Sequence, residues 1–433
     1  MKGLIFTYLL TYGGSVVALF EPFVGICIYY AFAVLRPQVL WYYSLPPDMP
    51  FSKYVALATM AGWVFKGFPH GGSLKDDSSP MVAFGVFVLL VQLSAWFAIE
   101  PARADLISSD MLKILVMFFI GICLLDSMKR LSVVLWGYIA VQGYLTLDMN
   151  LTYFLEGINP VVHNDGFGTL NNNTFALSLL PGLSLALMAG IFETRLLFRG
   201  AALFSALSSI HVILLSESRG AYLGLAAIAG LAFYFIPKNA RTISALVVIV
   251  VLSGFLVGES VREEFGTMFA DELDDSAAAR FSLWQAGWGA MKDYPFLGAG
   301  PGNFEIISHH YGVEEGRAAH NLYMQIGADC GIPALVSLMS FYVLTFIKLQ
   351  RIIPWKTRRD AVPVDPTVMA IGVGAFAGLA GYLLHSVFSS GVLIETPYLT
   401  ALMALATVRV FSKTRTVEEK EKLLSGAYAN VSG

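Results

Sequence analysis

Long apolar runs alternate with short polar joints along this chain. Thirteen runs predict membrane helices: 4–20, 22–40, 54–68, 81–99, 112–126, 131–148, 173–192, 200–215, 219–236, 242–258, 321–347, 367–387 and 391–411. A bilayer core about 30 Å thick takes roughly 17–25 helical residues. The run 54–68 is short, and only Glu21 and Pro22 part the first two runs. With one run re-entrant, about twelve transmembrane helices remain and both ends lie in the cytoplasm. The expected fold is an all-α polytopic membrane protein. It divides into an N-terminal bundle (1–258), a loop domain with short amphipathic helices (259–319), C-terminal transmembrane helices (320–411) and a loose polar tail (412–433).

Basic residues orient the bundle, because short cytoplasmic loops collect Lys and Arg. The stretch KLQRIIPWKTRRD (348–360) is the most basic, and Lys129/Arg130, Arg195/Arg199 and Lys238/Arg241 fall on the same side. The opposite, extracytoplasmic side then holds 259–319, with eleven acidic residues against four basic ones. Composition agrees: 56% of the 433 residues are hydrophobic and 14% charged, where soluble domains carry about 25% charge. The net charge of −3 offers no basic field for nucleic acid. Cys27, Cys123 and Cys330 lack CxxC spacing, so neither a disulfide framework nor a zinc site follows. The first run reads as a retained helix and not as a cleaved signal peptide.

Ionisable groups at membrane depth or at its rim are costly and are candidates for function. Arg219 lies where two apolar runs meet, two residues after Glu217. It is either an interfacial arginine paired with Glu217 or an anion site, since a guanidinium takes phosphate in a bidentate fork. Arg280 opens an apolar pattern of helical period over 276–291, read as an amphipathic helix with Trp284 and Trp288 at headgroup level. The turn FLGAGPGNF (296–304) centres on Gly300 and could turn amides to an anion or be a plain turn. His320 starts a helix, where the dipole disfavours its cationic form; a neutral imidazole accepts protons. Asn173, in NNNTFAL, either caps a helix or binds sugar hydroxyls. His211 and His385 read as satisfied core groups. His309 and His310 are adjacent and lack carboxylates at metal spacing. DELDD (271–275) reads as a solvated acidic turn.

Two arginines and a neutral histidine on one face suit a lipid-borne pyrophosphate and a hydroxyl nucleophile. No metal is needed if guanidinium groups hold the leaving charge. Four stretches also resemble the bacterial O-antigen ligases and the related Wzy-type polymerases. They are SESRGAYLGL around Arg219, SAAARFSLWQAGW with PFLGAGPGNF, the His-Asn-x9-Gly pattern of His320, Asn321 and Gly331, and NNNTFAL with Asn173. Most of the chain takes part, and its first 70 residues look like the branch of exosortase-associated O-glycosylation ligases. Asp329 stands where relatives often have Glu.

The resemblance implies a GT-C-like membrane glycosyltransferase of lipopolysaccharide biosynthesis in the bacterial inner membrane, with no cofactor. Arg219 and Arg280 would bind an undecaprenyl-pyrophosphate-linked glycan donor, helped by Asn321, Asn173, Gly300 and Trp284. His320 would activate the acceptor hydroxyl, of lipid A–core or of another glycan or protein, amid membrane lipids. Repeat-unit polymerisation and protein O-glycosylation use similar sites. A glycan-lipid transporter would show repeats and midplane charges, which this sequence does not.

Overall fold

The computed structural model describes residues 2–47, 49–69, 78–236, 238–256, 275–353 and 365–431. Among these there is no strand, only an isolated bridge between Phe167 and Leu170. Helix is the solution lipid enforces, because it satisfies each backbone group within the segment. The helices are α1 (Lys2–Phe20), α2 (Pro22–Leu35), α3 (Phe51–Phe65), α4 (Ser78–Trp96), α5 (Pro101–Leu124), α6 (Met128–Glu156), α7 (Asn172–Phe192), α8 (Leu196–Leu215), α9 (Arg219–Phe235), α10 (Ala240–Leu256), α11 (Asp275–Asp293), α12 (Leu322–Cys330), α13 (Ile332–Leu349), α14 (Pro366–His385) and α15 (Thr396–Val431). Among the described residues, α1, α4, α5, α7, α8, α13 and α14 are long and apolar enough to cross a membrane. The chain is thus a mostly helical, multi-pass membrane protein.

Helix starts follow local chemistry. Pro22, Pro101, Pro333 and Pro366 occupy first turns, where the missing N–H costs nothing. Asn171, Ser218 and Asn321 cap α7, α9 and α12 with side-chain oxygens.

The centre of the bundle is α7, almost wholly buried, with Pro181 inside it. Near that proline, Thr396 Oγ1 donates to Ser178 O at 2.8 Å and Gln142 Nε2 to Leu179 O at 3.0 Å. Neighbouring side chains thus reinforce the backbone around the proline. Helix α14 lies flat on α7 through Gly374 and Gly378. A Cβ at Gly378 would stand 3.0 Å from Pro181 Cα, and one at Gly374 3.0 Å from Leu185 Cα. Gly224 of α9 approaches Gly381 O of α14 in the same manner, at 3.1 Å. Small residues allow such close packing where lipid supplies no hydrophobic drive. A second knot of rings joins α4, α5, α13 and α15. Phe84 stacks on Phe341 and Tyr398 at 4.8 and 5.0 Å and meets Phe118 edge-on at 5.1 Å.

The two ends of the bundle differ. At one, Glu21 accepts from Lys66 at 3.1 Å and Arg130 at 3.3 Å. There too Arg409 donates to Ile122 O and Leu125 O, both at 2.8 Å. At the other, α2 and α14 end while α7, α9 and α12 begin.

Four expectations need correction. The run 321–347 is two helices, because Gly331 sits at φ +87°, ψ 164° and Pro333 follows in the new first turn. The tail is not loose through its length: α15 continues to Val431, across a segment rich in the helix formers Glu, Lys and Leu. The start of α1 packs on Trp41, near Arg36, whereas Arg409 of α15 lies at the opposite end. Twelve spans with both ends on one side do not fit this, since α1 is a full helix before α2 returns. The two tryptophans of α11 also part: Trp288 is half exposed, while Trp284 faces Phe388 with ring centroids 6.1 Å apart. Much of the acidic stretch after α10, 257–274, lies outside the described residues.

Replacing Gly378 by Leu is expected to lower stability by about 1–3 kcal/mol, the usual range for overpacking. A thermal melt in detergent reads this out. Gly200, where an added Cβ would meet nothing within 4 Å, serves as control through Gly200→Ala. Equal melting of both variants would contradict the close α7–α14 contact.

Candidate functional site

The glycine-rich turn after α11 is shaped by Asp329 of α12. Gly298, Gly300 and Gly302 take φ of +69°, +114° and +72°, conformations that disfavour other residues. Ala299 N–H donates to Ala328 O at 2.9 Å and Gly300 N–H to Asp329 O at 2.8 Å. The Asp329 carboxylate accepts from Phe304 N–H at 2.8 Å and from Gln325 Nε2 at 2.7 Å. Burial pushes this carboxyl up to about 7, against the hydrogen bonds from Gln325, Phe304 and Gly302. Gln325 Oε1 in turn accepts from Ala319 N–H at 2.9 Å. Asp329 therefore ties the turn to the residue before His320. Gly300, singled out as a possible anion site, directs its amide to protein, and a Cβ there would strike Ala98.

His320 itself has φ +45°, a strained setting for a residue with a side chain. Asn321 then caps α12, accepting from Tyr323 and Met324 amides at 2.9 and 3.1 Å. Leu322 N–H reaches Ser386 O at 2.8 Å, and the Tyr323 hydroxyl reaches Leu383 O at 2.7 Å. The start of α12 is thus docked on the end of α14. Burial holds the His320 imidazole below its ordinary range, and the positive charges of Arg280 and Arg317 add to the effect.

Arg219 opens α9, half-buried, after Glu217 at φ +53°. Ser218 Oγ lies 3.3 Å from His385 Nε2. Gly220 packs so closely that a Cβ would lie 2.7 Å from the His385 ring and 2.9 Å from Phe388. Arg280 is half-buried on α11, one turn before Trp284. Its charge reaches both His320 and His385. The fold thereby brings Arg219, Arg280, Trp284 and His320 around the end of α14. His385 is a meeting point that the sequence reading treated as core. Its Nδ1 has no partner among the described residues. His211, by contrast, meets Asn150, and the rings of His309 and His310 lie tilted against each other at 4.0 Å.

Beside His320 opens a cavity of about 490 Å³, within the range of small-molecule sites. His320, Gln325 and Asp329 form one wall, and Arg36, Arg103 and Glu305 are also exposed to it. Asn171 and Thr174 line it at the start of α7, where Thr174 Oγ1 lies 3.1 Å from Ser389 Oγ. Asn173 does not line it; its amides go to Asn172 Oδ1. Arg219, Arg280 and Trp284 are not part of its lining. His320 therefore lines the cavity while the charge of Arg280, outside that lining, acts on it. Arg36, Arg103 and Gln325 escaped the sequence reading; for Arg36 the signal was the "LRP" break inside the apolar run 22–40.

Residues 204–339 match the family model described as O-antigen ligase. Over that stretch the chain is similar to the O-antigen ligase family. The stretch contains Arg219, Arg280, His320 and Asn321. Residues 1–173 match a second model, described as a family of unknown function (DUF5935). No curated protein matches the chain. The cavity takes its lining from both stretches and from Thr174 and Ser390–Ile394, which neither model covers.

Asp329→Asn puts an amide N–H toward Gln325 Nε2 or forces Gln325 to flip away from Ala319. The expected loss is about 1–3 kcal/mol, that of an unsatisfied buried group, read as a lowered thermal midpoint. An unchanged midpoint would contradict the tie between Asp329 and the His320 segment.

Proposed function

We propose that the protein transfers a glycan from undecaprenyl pyrophosphate to an acceptor hydroxyl, most simply that of lipid A–core, at the periplasmic face of the inner membrane. One observation carries this reading: a neutral histidine on a cavity wall, under the field of an arginine, inside the stretch similar to the O-antigen ligase family. His320 accepts the proton of the acceptor hydroxyl as its oxygen attacks the anomeric carbon. The bond from that carbon to the pyrophosphate oxygen breaks, and its electron pair leaves with the lipid pyrophosphate. Arg219 and Arg280 stabilise that leaving charge, which grows in the transition state. Basic residues Lys66, Arg130, Arg195 and Arg409 lie at the end opposite the site, which supports a periplasmic site under the positive-inside rule. Asn173 and Gly300 direct their amides to the protein itself, which leaves the donor contact to the two arginines. Asn321 acts on His320 through the cap of α12.

A lipopolysaccharide gel from cells lacking the protein tests the reading. Bare core with glycan retained on the lipid carrier is the expected pattern for a ligase; core capped with one repeat unit marks a polymerase. His320→Ala is expected not to restore the wild-type ladder. Arg219→Ala and Arg280→Ala are each expected to slow transfer on the order of 10²-fold or more; an active double variant would sink the clamp.

The acid limb of the transfer rate is expected below the ordinary His value of about 6.5, because the base must be neutral. Arg280→Gln removes a positive charge that opposes protonation of His320, so its acid limb should move to higher pH. A limb that stays in place under that change removes Arg280 from the neighbourhood of the base.

A further inference from the structure

The cavity has a cation that the transfer chemistry does not use. Arg36 occupies the joint between α2 and the helical turn Pro37–Leu40, at φ +46°. Its guanidinium lines the cavity and donates to Thr169 Oγ1 at 3.3 Å. The other arginine on the cavity, Arg103, is paired with Glu305. Glu395 exerts its field on Arg36 from a separate cleft behind it. That carboxylate is itself engaged, accepting from Tyr29 at 3.2 Å and lying 3.9 Å from Lys113. Arg36 is thus bonded, on the cavity side, to a neutral hydroxyl.

What surrounds it is suited to a saccharide. Asn171, Thr174, Gln325 and Ser390 supply polar groups, and Val91 and Met111 supply an apolar wall. The amino end of α7 opens on the same space and adds its positive dipole end to the arginine. A planar guanidinium at such a place matches a carboxylate or phosphate.

We propose that Arg36, held by Thr169, binds an anionic group of the acceptor saccharide, so that the N-terminal stretch selects the acceptor whose hydroxyl His320 receives. This rests on the transferase reading above. It assigns specificity to residues 36 and 169, outside the stretch similar to the O-antigen ligase family.

The test uses the full-length protein in nanodiscs, with lipid-pyrophosphate-linked glycan and a membrane acceptor. Octyl β-glucuronide and neutral octyl β-glucoside are compared as inhibitors of transfer. The glucuronide is expected to inhibit at tenfold lower concentration or less, and raising the acceptor should relieve it. In Arg36→Gln the two inhibitors should come within about twofold of each other, with Thr169→Val moving in the same direction. Equal inhibition of wild type overturns the proposal. So does a preference that survives Arg36→Gln, or relief by raising the donor lipid, either of which returns the anion to Arg219 and Arg280. If Arg36→Gln does not accumulate, the wild-type comparison and Thr169→Val decide. If wild type transfers no glycan, the transferase reading fails. Calorimetric binding of octyl β-glucuronide to wild type and Arg36→Gln then decides the Arg36 site by itself.

Discussion

The short turn that follows α14 is the constraint on which the site depends. Its carbonyls at Ser386 and Ser389 take the first amide of α12. Its Ser389 hydroxyl meets Thr174 at the start of α7, and His385 before it meets Ser218 at the start of α9. Three helix starts are gathered on one segment, which takes the first N–H of α12 and meets side chains at the starts of α7 and α9. An unpaired group there would be costly, so the turn and the three starts settle together. Arg219, His320 and Asn171 are neighbours because of this, although their positions in the chain are far apart.

Glycine sets the second condition. Helix α14 reaches α7 closely only because Gly374 and Gly378 carry no side chain, and it reaches α9 in the same way at Gly381. That contact fixes the height of the turn above. The buried chain from Phe304 through Asp329 and Gln325 to Ala319 then sets where the His320 backbone stands. Packing places the frame to within a helix turn, and the polar network places the imidazole.

Much of this was legible along the chain. The apolar runs located most of the helices, since lipid leaves few other conformations. Charged residues at the edges of those runs marked Arg219, Arg280 and His320, because such groups persist there only with partners. What was hidden has a common cause. Arg36 and His385 gain their meaning from contacts across more than a hundred residues, and Gln325 from the cavity it lines; no local period encodes those. The break at Gly331 was masked by apolar residues on both sides of it. Trp284 and Trp288 looked equivalent because spacing alone does not tell which face meets Phe388. Asn171 and Thr174, not Asn173, line the cavity, because the last of the three asparagines turns its amides to Asn172.

The left-handed backbone at His320 acts as a filter on what can replace it. That region is open to glycine and, at moderate strain, to asparagine, aspartate and histidine. Most other side chains would meet their own carbonyl there. Loss of the imidazole and relaxation of the loop are therefore confounded in an alanine replacement, whereas asparagine keeps the conformation and removes only the base. The same filter narrows the routes by which descent could exchange this residue. A nucleophile-activating group at this point has few neighbours in sequence space that preserve its backbone, so the chemistry and the shape of the loop are inherited as one.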